Sequence, residues 1–187
     1  MKHLIILILL LSTVQLFAQI SPNYISPVKV GSMNLQAGKV FYQNYFVGGT
    51  NLQRLAERFK SKEQVYSVFN LNSVSANEIK GTITNFQLNI DKYGIKRKKL
   101  ASFLTRPLNA IFSIESVGDK NRVTVGSIWF KNLSGDKSLE HGNIETLITS
   151  PTATTFLKKK KNLESITVIE KNLDELFQAT TTTAIGF

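Results

Sequence analysis

Apolar and polar positions are distributed along this chain in patterns that mark off its elements. An unbroken Leu/Ile run from Leu4 to Leu11 comes first, behind Lys2 and His3 and ahead of Ser12, Thr13 and Gln15. A positive start, an apolar run and a small residue at Ala18 predict a signal peptide over 1–18, cleaved near Ala18. A membrane-spanning helix needs about 20 apolar residues, and polar side chains interrupt this run earlier. The expected localisation is therefore periplasmic or secreted. Residues 19–37, rich in Ser, Pro, Asn and Gly, show no period and read as a leader or linker.

From Lys39 to Val47, the sequence KVFYQNYFV is dense in β-branched and aromatic residues and predicts a strand. Gly48-Gly49 closes it as a turn. Leu52, Leu55, Ala56 and Phe59 then recur at i, i+3, i+4 and i+7, which is one face of a helix. Thr50 and Gln53 stand at capping-box spacing before it. The period changes again over Gln64–Val74 and Ile79–Ile90, two predicted strands around a turn at Ser75-Ala76-Asn77. A further turn falls at Asp91-Lys92-Tyr93-Gly94. Over 95–109, Leu100, Phe103 and Leu104 point to helix while Pro107 limits it. Ala110–Val117 and Arg122–Phe130 flank Gly118-Asp119-Lys120-Asn121 as a hairpin. Ser150-Pro151 opens a predicted long helix, whose stripe runs Leu163, Ile166, Glu170, Leu173, Leu176 and Phe177. The resulting expectation is an α+β domain over 38–178, with a frayed tail over 179–187. It comprises an antiparallel sheet of about five strands, one short helix and one long C-terminal helix packed on it. No repeat of fixed period is present.

The stretch from Gly38 to Asn132 resembles a family of exported bacterial proteins of unknown function with a TATA-binding-protein-like fold. The strand KVFYQNYFV, the helix NLQRLAERFK and the hairpin FSIESVGDKNRVTVGSIWF carry the resemblance, over roughly half of the chain. Phe59 stands where that family often has Trp. The resemblance implies a fold and a compartment, and it brings no catalytic residues with it.

Composition narrows the chemistry. The 187 residues include no cysteine, which excludes a lipid-anchored N-terminus, disulfides, thiol nucleophiles and thiolate metal sites. The 42% hydrophobic content suffices for a core that does without such staples. After removal of 1–18, His141 is the one histidine, set in the loop Leu139-Glu140-His141-Gly142. A zinc site needs several converging ligands, and only Glu140 and Glu145 are near His141 in sequence. There is no G-x-S-x-G elbow, no Walker-type loop and no G-x-G-x-x-G after a strand. No catalytic residue, metal or cofactor is expected.

Charge changes the picture further. Lys+Arg number 23 against 13 Asp+Glu, a net +10, and removal of 1–18 takes one lysine and leaves +9. Two basic runs stand out: Lys96, Arg97, Lys98 and Lys99, then Lys158, Lys159, Lys160 and Lys161. Such runs either hold the domain in solution or capture an anionic surface. The aromatics Phe41, Tyr42, Tyr45 and Phe46 serve either as core or as stacking platforms. The leading expectation is a non-catalytic exported envelope protein whose two basic runs contact an anionic envelope lipid or polysaccharide, or a partner protein. Alternatives are a small periplasmic or secreted hydrolase using His141 or a carboxylate pair, and an extracellular polysaccharide or nucleic-acid binder. Export separates the protein from chromosomal DNA.

Overall fold

Alternation in the central hairpin sets the architecture. A computed structural model describes residues 28–47, 51–60, 67–131 and 141–182, the side chains of His141 and 179–182 excepted. Ala110, Phe112 and Ile114 on one strand and Val123 and Val125 on the next share one side and are fully or almost fully buried. These strands, Leu108–Val117 and Lys120–Lys131, turn at Gly118-Asp119, with Gly118 at φ 62. Numbered in chain order the strands are β1 (Val28–Val30), β2 (Met33–Gln36), β3 (Lys39–Val47), β4 (Phe69–Val74), β5 (Glu78–Phe86), β6 and β7 (the hairpin) and β8 (His141–Asn143). Every pairing is antiparallel, in the order β1-β2-β3-β7-β6-β5-β4. Strand β7 is shared lengthwise: Lys120–Val125 pairs with β3, and Trp129–Lys131 pairs with β8.

Among the described residues eight strands stand where about five were expected. Two of the additional strands, β1 and β2, lie within the stretch read as a leader, and β8 lies in the polar region after the hairpin. Each has three or four residues, too few to display alternation. Burial fixes β2 nonetheless, with Met33 and Leu35 at 0% and 3% exposure. The strand expected over Ile79–Ile90 ends at Phe86, and the one expected over Gln64–Val74 is described from Phe69 onward. The stretch 1–18 expected as a signal peptide, Gly48-Gly49, Thr50 and residues 183–187 fall outside the described residues.

Helix α1 (Leu52–Lys60) buries Leu52, Leu55, Ala56 and Phe59 as its period requires. Its cap is Asn51, whose Oδ1 accepts the Gln53 N–H at 2.8 Å. The short helix α2 (Ile144–Ile148) follows β8. Helix α3 (Lys160–Thr182) starts nine residues later than Pro151 suggested. Between them Thr149 bridges Phe156, and Ala153 takes φ 50. Hydroxyls of Ser150, Thr152 and Thr154 meet one another at 3.3 and 2.9 Å, a local network that competes with helix formation.

Helices α1 and α3 cover the same side of the sheet. The Phe112 ring meets Phe59 of α1 and Phe177 of α3, both at 5.8 Å, and Phe69 at 5.3 Å. Alternate positions such as Lys80, Tyr45 and Ile111 face the other way and are exposed. Residues 87–107 return from β5 to β6 on the helix side of the edge. Leu88, Ile90, Leu100, Phe103 and Leu104 bury themselves there, with the Phe103 ring 4.8 Å from Phe130. Neither a helix nor a strand occupies 95–107; the segment makes two single 3-10 turns, Arg97–Lys99 and Ser102–Thr105.

Candidate functional site

The segment that carries the first basic run lies along α3. Asn89 N–H donates to Asn172 Oδ1 at 2.8 Å, and Lys92 Nζ pairs with Glu175 at 2.8 Å. Lys171 Nζ stands 5.2 Å over the Tyr93 ring, and Ala101 N–H donates to Ser165 Oγ at 2.9 Å. Residues 89–101 therefore run antiparallel to α3, from the level of Glu175 to that of Ser165. Between the Tyr93 and Ala101 anchors, the 3-10 turn closes through Lys99 N–H to Lys96 O at 2.8 Å. Buried Leu100 holds the end of this turn down while Lys96, Lys98 and Lys99 remain exposed.

The second run begins just past the same level. Leu157 N–H donates to Ile148 O at 2.8 Å, and buried Phe156 fixes the approach. Lys158 and Lys159 lead in, and Lys160 and Lys161 are the first helical residues. Lys159 O accepts the N–H of both Asn162 and Leu163. The first turn contains no acidic residue, so cationic side chains crowd the positive end of the helix dipole, an arrangement unfavourable until an anion approaches.

Ser165 joins the two runs. Its side chain is fully buried, its Oγ accepts the Ala101 N–H, and its hydroxyl donates to Lys161 O at 2.7 Å. Lys161 and Ala101, two residues past the end of the first run, are thus two hydrogen bonds apart. Replacing Ser165 by Ala strands the Ala101 N–H at a partly buried position. The expected cost is about 1–2 kcal/mol in urea unfolding, with faster hydrogen exchange at Ala101. Unchanged stability and protection would show that the hydroxyl is not the link.

Of the eight residues singled out in the sequence, seven lysines form no ion pair among the described residues. Arg97 differs: its Nε and Nη2 grip Asp91 Oδ1 and Oδ2 at 2.9 and 2.6 Å. This fork holds the Asp91 carboxyl below its usual range. Arg97 therefore braces the loop, and the open charge belongs to Lys96, Lys98, Lys99 and Lys158–Lys161. The sequence reading missed Ser165, although a serine beside Ile166 on an apolar stripe was a visible signal of a buried polar contact.

The carboxylates have other work. Glu170 accepts the Ser32 N–H at 2.6 Å, and Asp174 accepts from Tyr42 Oη at 2.6 Å and Asn44 Nδ2 at 2.7 Å. One turn apart on α3, this pair ties the helix to β1–β2 and β3. Glu145 Oε1 accepts the Val40 N–H at 3.1 Å at the edge of a groove of about 450 Å³ lined also by Thr146, Thr149, Ser150 and Leu157. A second groove of about 420 Å³, lined by Asn51, Gln53, Ser116, Asp119 and Lys120, lies at the α1 start. Each has one acidic residue in its lining. The backbone of His141 pairs with Lys131 in β8; its side chain lies outside the described residues. Among the described residues no three His, Cys, Asp or Glu side chains gather as a metal site, and no helix is long and apolar enough to cross a membrane.

No family model matches the chain, and no curated protein matches it. Two solved structures are similar. One is a DUF4468 family protein from Bacteroides ovatus, 13% identical, with TM-score 0.49 over 81% of this chain and 91% of that one. The other is a TBP-like protein from Parabacteroides distasonis, 16% identical, with TM-score 0.48 over 78% and 95%. The descriptions of these two structures, a DUF4468 family protein and a TBP-like protein, are of the kind that the sequence resemblance named.

Proposed function

We propose that the chain is a non-catalytic, exported envelope module that binds an anionic partner through the joined lysine surface. One observation supports this reading: Ser165 ties Ala101, two residues past Lys99, to the helical turn that opens with Lys160 and Lys161, so segments carrying both runs meet at the start of one helix. Seven cations with no ion-pair partner among the described residues, some at a helix end that disfavours them, lower their mutual repulsion when an anion arrives. Solubility alone requires no such convergence. The run over 1–18 supports export, and the carboxylates Glu170 and Asp174 act as structural acceptors.

The test is retention of the purified protein on an immobilised sulfated polyanion across a salt gradient. Wild type is expected to elute late. Replacing Lys158–Lys161 together by Gln shifts elution to lower salt, as does replacing Lys96, Lys98 and Lys99. A control at Lys120 and Lys131, which retains the seven lysines, elutes near wild type. An equal shift per charge removed in all three variants would reduce the surface to net charge and defeat the reading.

A further inference from the structure

We infer that the anionic partner is the phosphate-bearing face of a bilayer containing anionic phospholipid, met flat by the lysine surface without insertion. This rests on the proposed function and narrows it. Neither of the two grooves described above includes any of the seven lysines in its lining, so neither supplies an enclosing cleft for a discrete anion. Arg97, whose planar fork would suit a two-point grip on one phosphate, already spends its Nε–Nη2 edge on Asp91. What remains is lysine, a point charge on a flexible stem, which suits a laterally mobile layer of charge better than a fixed oxygen pair.

The aromatic residues decide between a bilayer and a polymer. Sugar rings and bases are gripped by stacking on exposed side-chain rings. Beside the lysines, Tyr93 is covered by Lys171, and Phe103 and Phe156 are 6% and 5% exposed. No stacking platform is thus open there among the described residues. The exposed large apolar side chains, Val28, Tyr45, Val47, Val74, Ile111 and Val117, belong to the sheet and not to the segments bearing the lysines. Among the described residues no wedge stands beside the lysines to enter the hydrocarbon, so attraction there comes from surface charge. The shape also fits: from Lys160 to Lys171 the helix advances roughly 17 Å, and Lys96–Lys99 lies alongside that length. The front is extended, not a single point.

The experiment is cosedimentation of the protein with phosphatidylcholine vesicles and with vesicles containing phosphatidylglycerol, over a salt series. Wild type is expected on the anionic vesicles alone and is released by high salt. With about fivefold in partitioning per basic residue near such a surface, Gln at Lys96, Lys98 and Lys99 lowers binding about a hundredfold. Gln at Lys158–Lys161 lowers it at least as much. A loss confined to one set would overturn the joint surface. Displacement by millimolar inorganic phosphate at constant ionic strength would replace the bilayer with a discrete phosphate site. Retention on the sulfated polyanion without vesicle binding would overturn the bilayer inference and leave the proposed function standing. Binding to neither would remove both.

Discussion

Replacing Gly81 by Ala is expected to lower stability by about 3 kcal/mol, read as a drop in the urea midpoint with an unchanged slope. Gly81 is a buried β5 residue with no unusual backbone angle; its purpose is space. A Cβ there would overlap the Asn70 carbonyl oxygen on β4 and lie 2.7 and 2.8 Å from Phe112 Cε1 and Cζ. The ring has little room to retreat, because Phe59, Phe69 and Phe177 surround it. Adding Phe112→Leu to Gly81→Ala restores only part of the loss, since the Asn70 carbonyl belongs to the paired backbone. A single-variant loss below about 1 kcal/mol would mean that the β4 edge gives way easily, contrary to this packing.

The second large effect concerns Asp174. Asp174→Ala removes the acceptor for two hydrogen bonds and leaves the Tyr42 hydroxyl, on a fully buried side chain, without its partner. A loss of about 3 kcal/mol is expected. Asp174→Asn, which retains an acceptor oxygen, should cost less than half of that. Equal losses would show that the charge matters and the hydrogen bonds do not.

A pH dependence follows from the same contact. Burial, and then the hydrogen bond to Asp174, raise the Tyr42 pKa far above its ordinary 10.0. Burial and the neighbouring Glu175 carboxylate push Tyr93 up to about 12. A raised folded value means the stabilisation is complete below the unfolded value and is lost as pH climbs above it. Unfolding free energy should therefore fall above about pH 10, by about 1.4 kcal/mol per pH unit for each tyrosine until its folded value is reached. Tyr42→Phe removes one tyrosine's share of that slope. An identical alkaline slope in the variant would exclude Tyr42 as its source.

The hairpin β6–β7 was legible because its apolar alternation lasts across both strands, and α1 because four apolar residues hold one helical period. Elsewhere the pattern hides its own phase. Val123 and Val125 point into the core, yet so do Ile128 and Phe130, because a register shift with Ser127 at φ 47 inserts a residue into β7. Likewise the alternation of Phe86, Leu88 and Ile90 suggested a continuing strand. Asn85 at φ 55 breaks the phase, and its N–H goes to Asn109 Oδ1 at 2.9 Å. Strands β1, β2 and β8 pair with strands close by in the sequence, but their three or four residues are too few to display an alternation. The basic runs could be read directly; their meeting could not, because it depends on one buried hydroxyl.

The attachments of α3 also impose an order of events on a newly made chain. Ser32, Tyr42 and Asn44 find their acceptors 138, 132 and 130 residues later, and Asn89 finds its own 83 residues later. A ribosome releases all four donors long before it has made Glu170, Asn172 or Asp174. The N-terminal strands must wait, open, until the last helix emerges. Under the proposed export, this delay would keep the chain pliant during passage through a translocation channel and reserve closure of the fold for the far side.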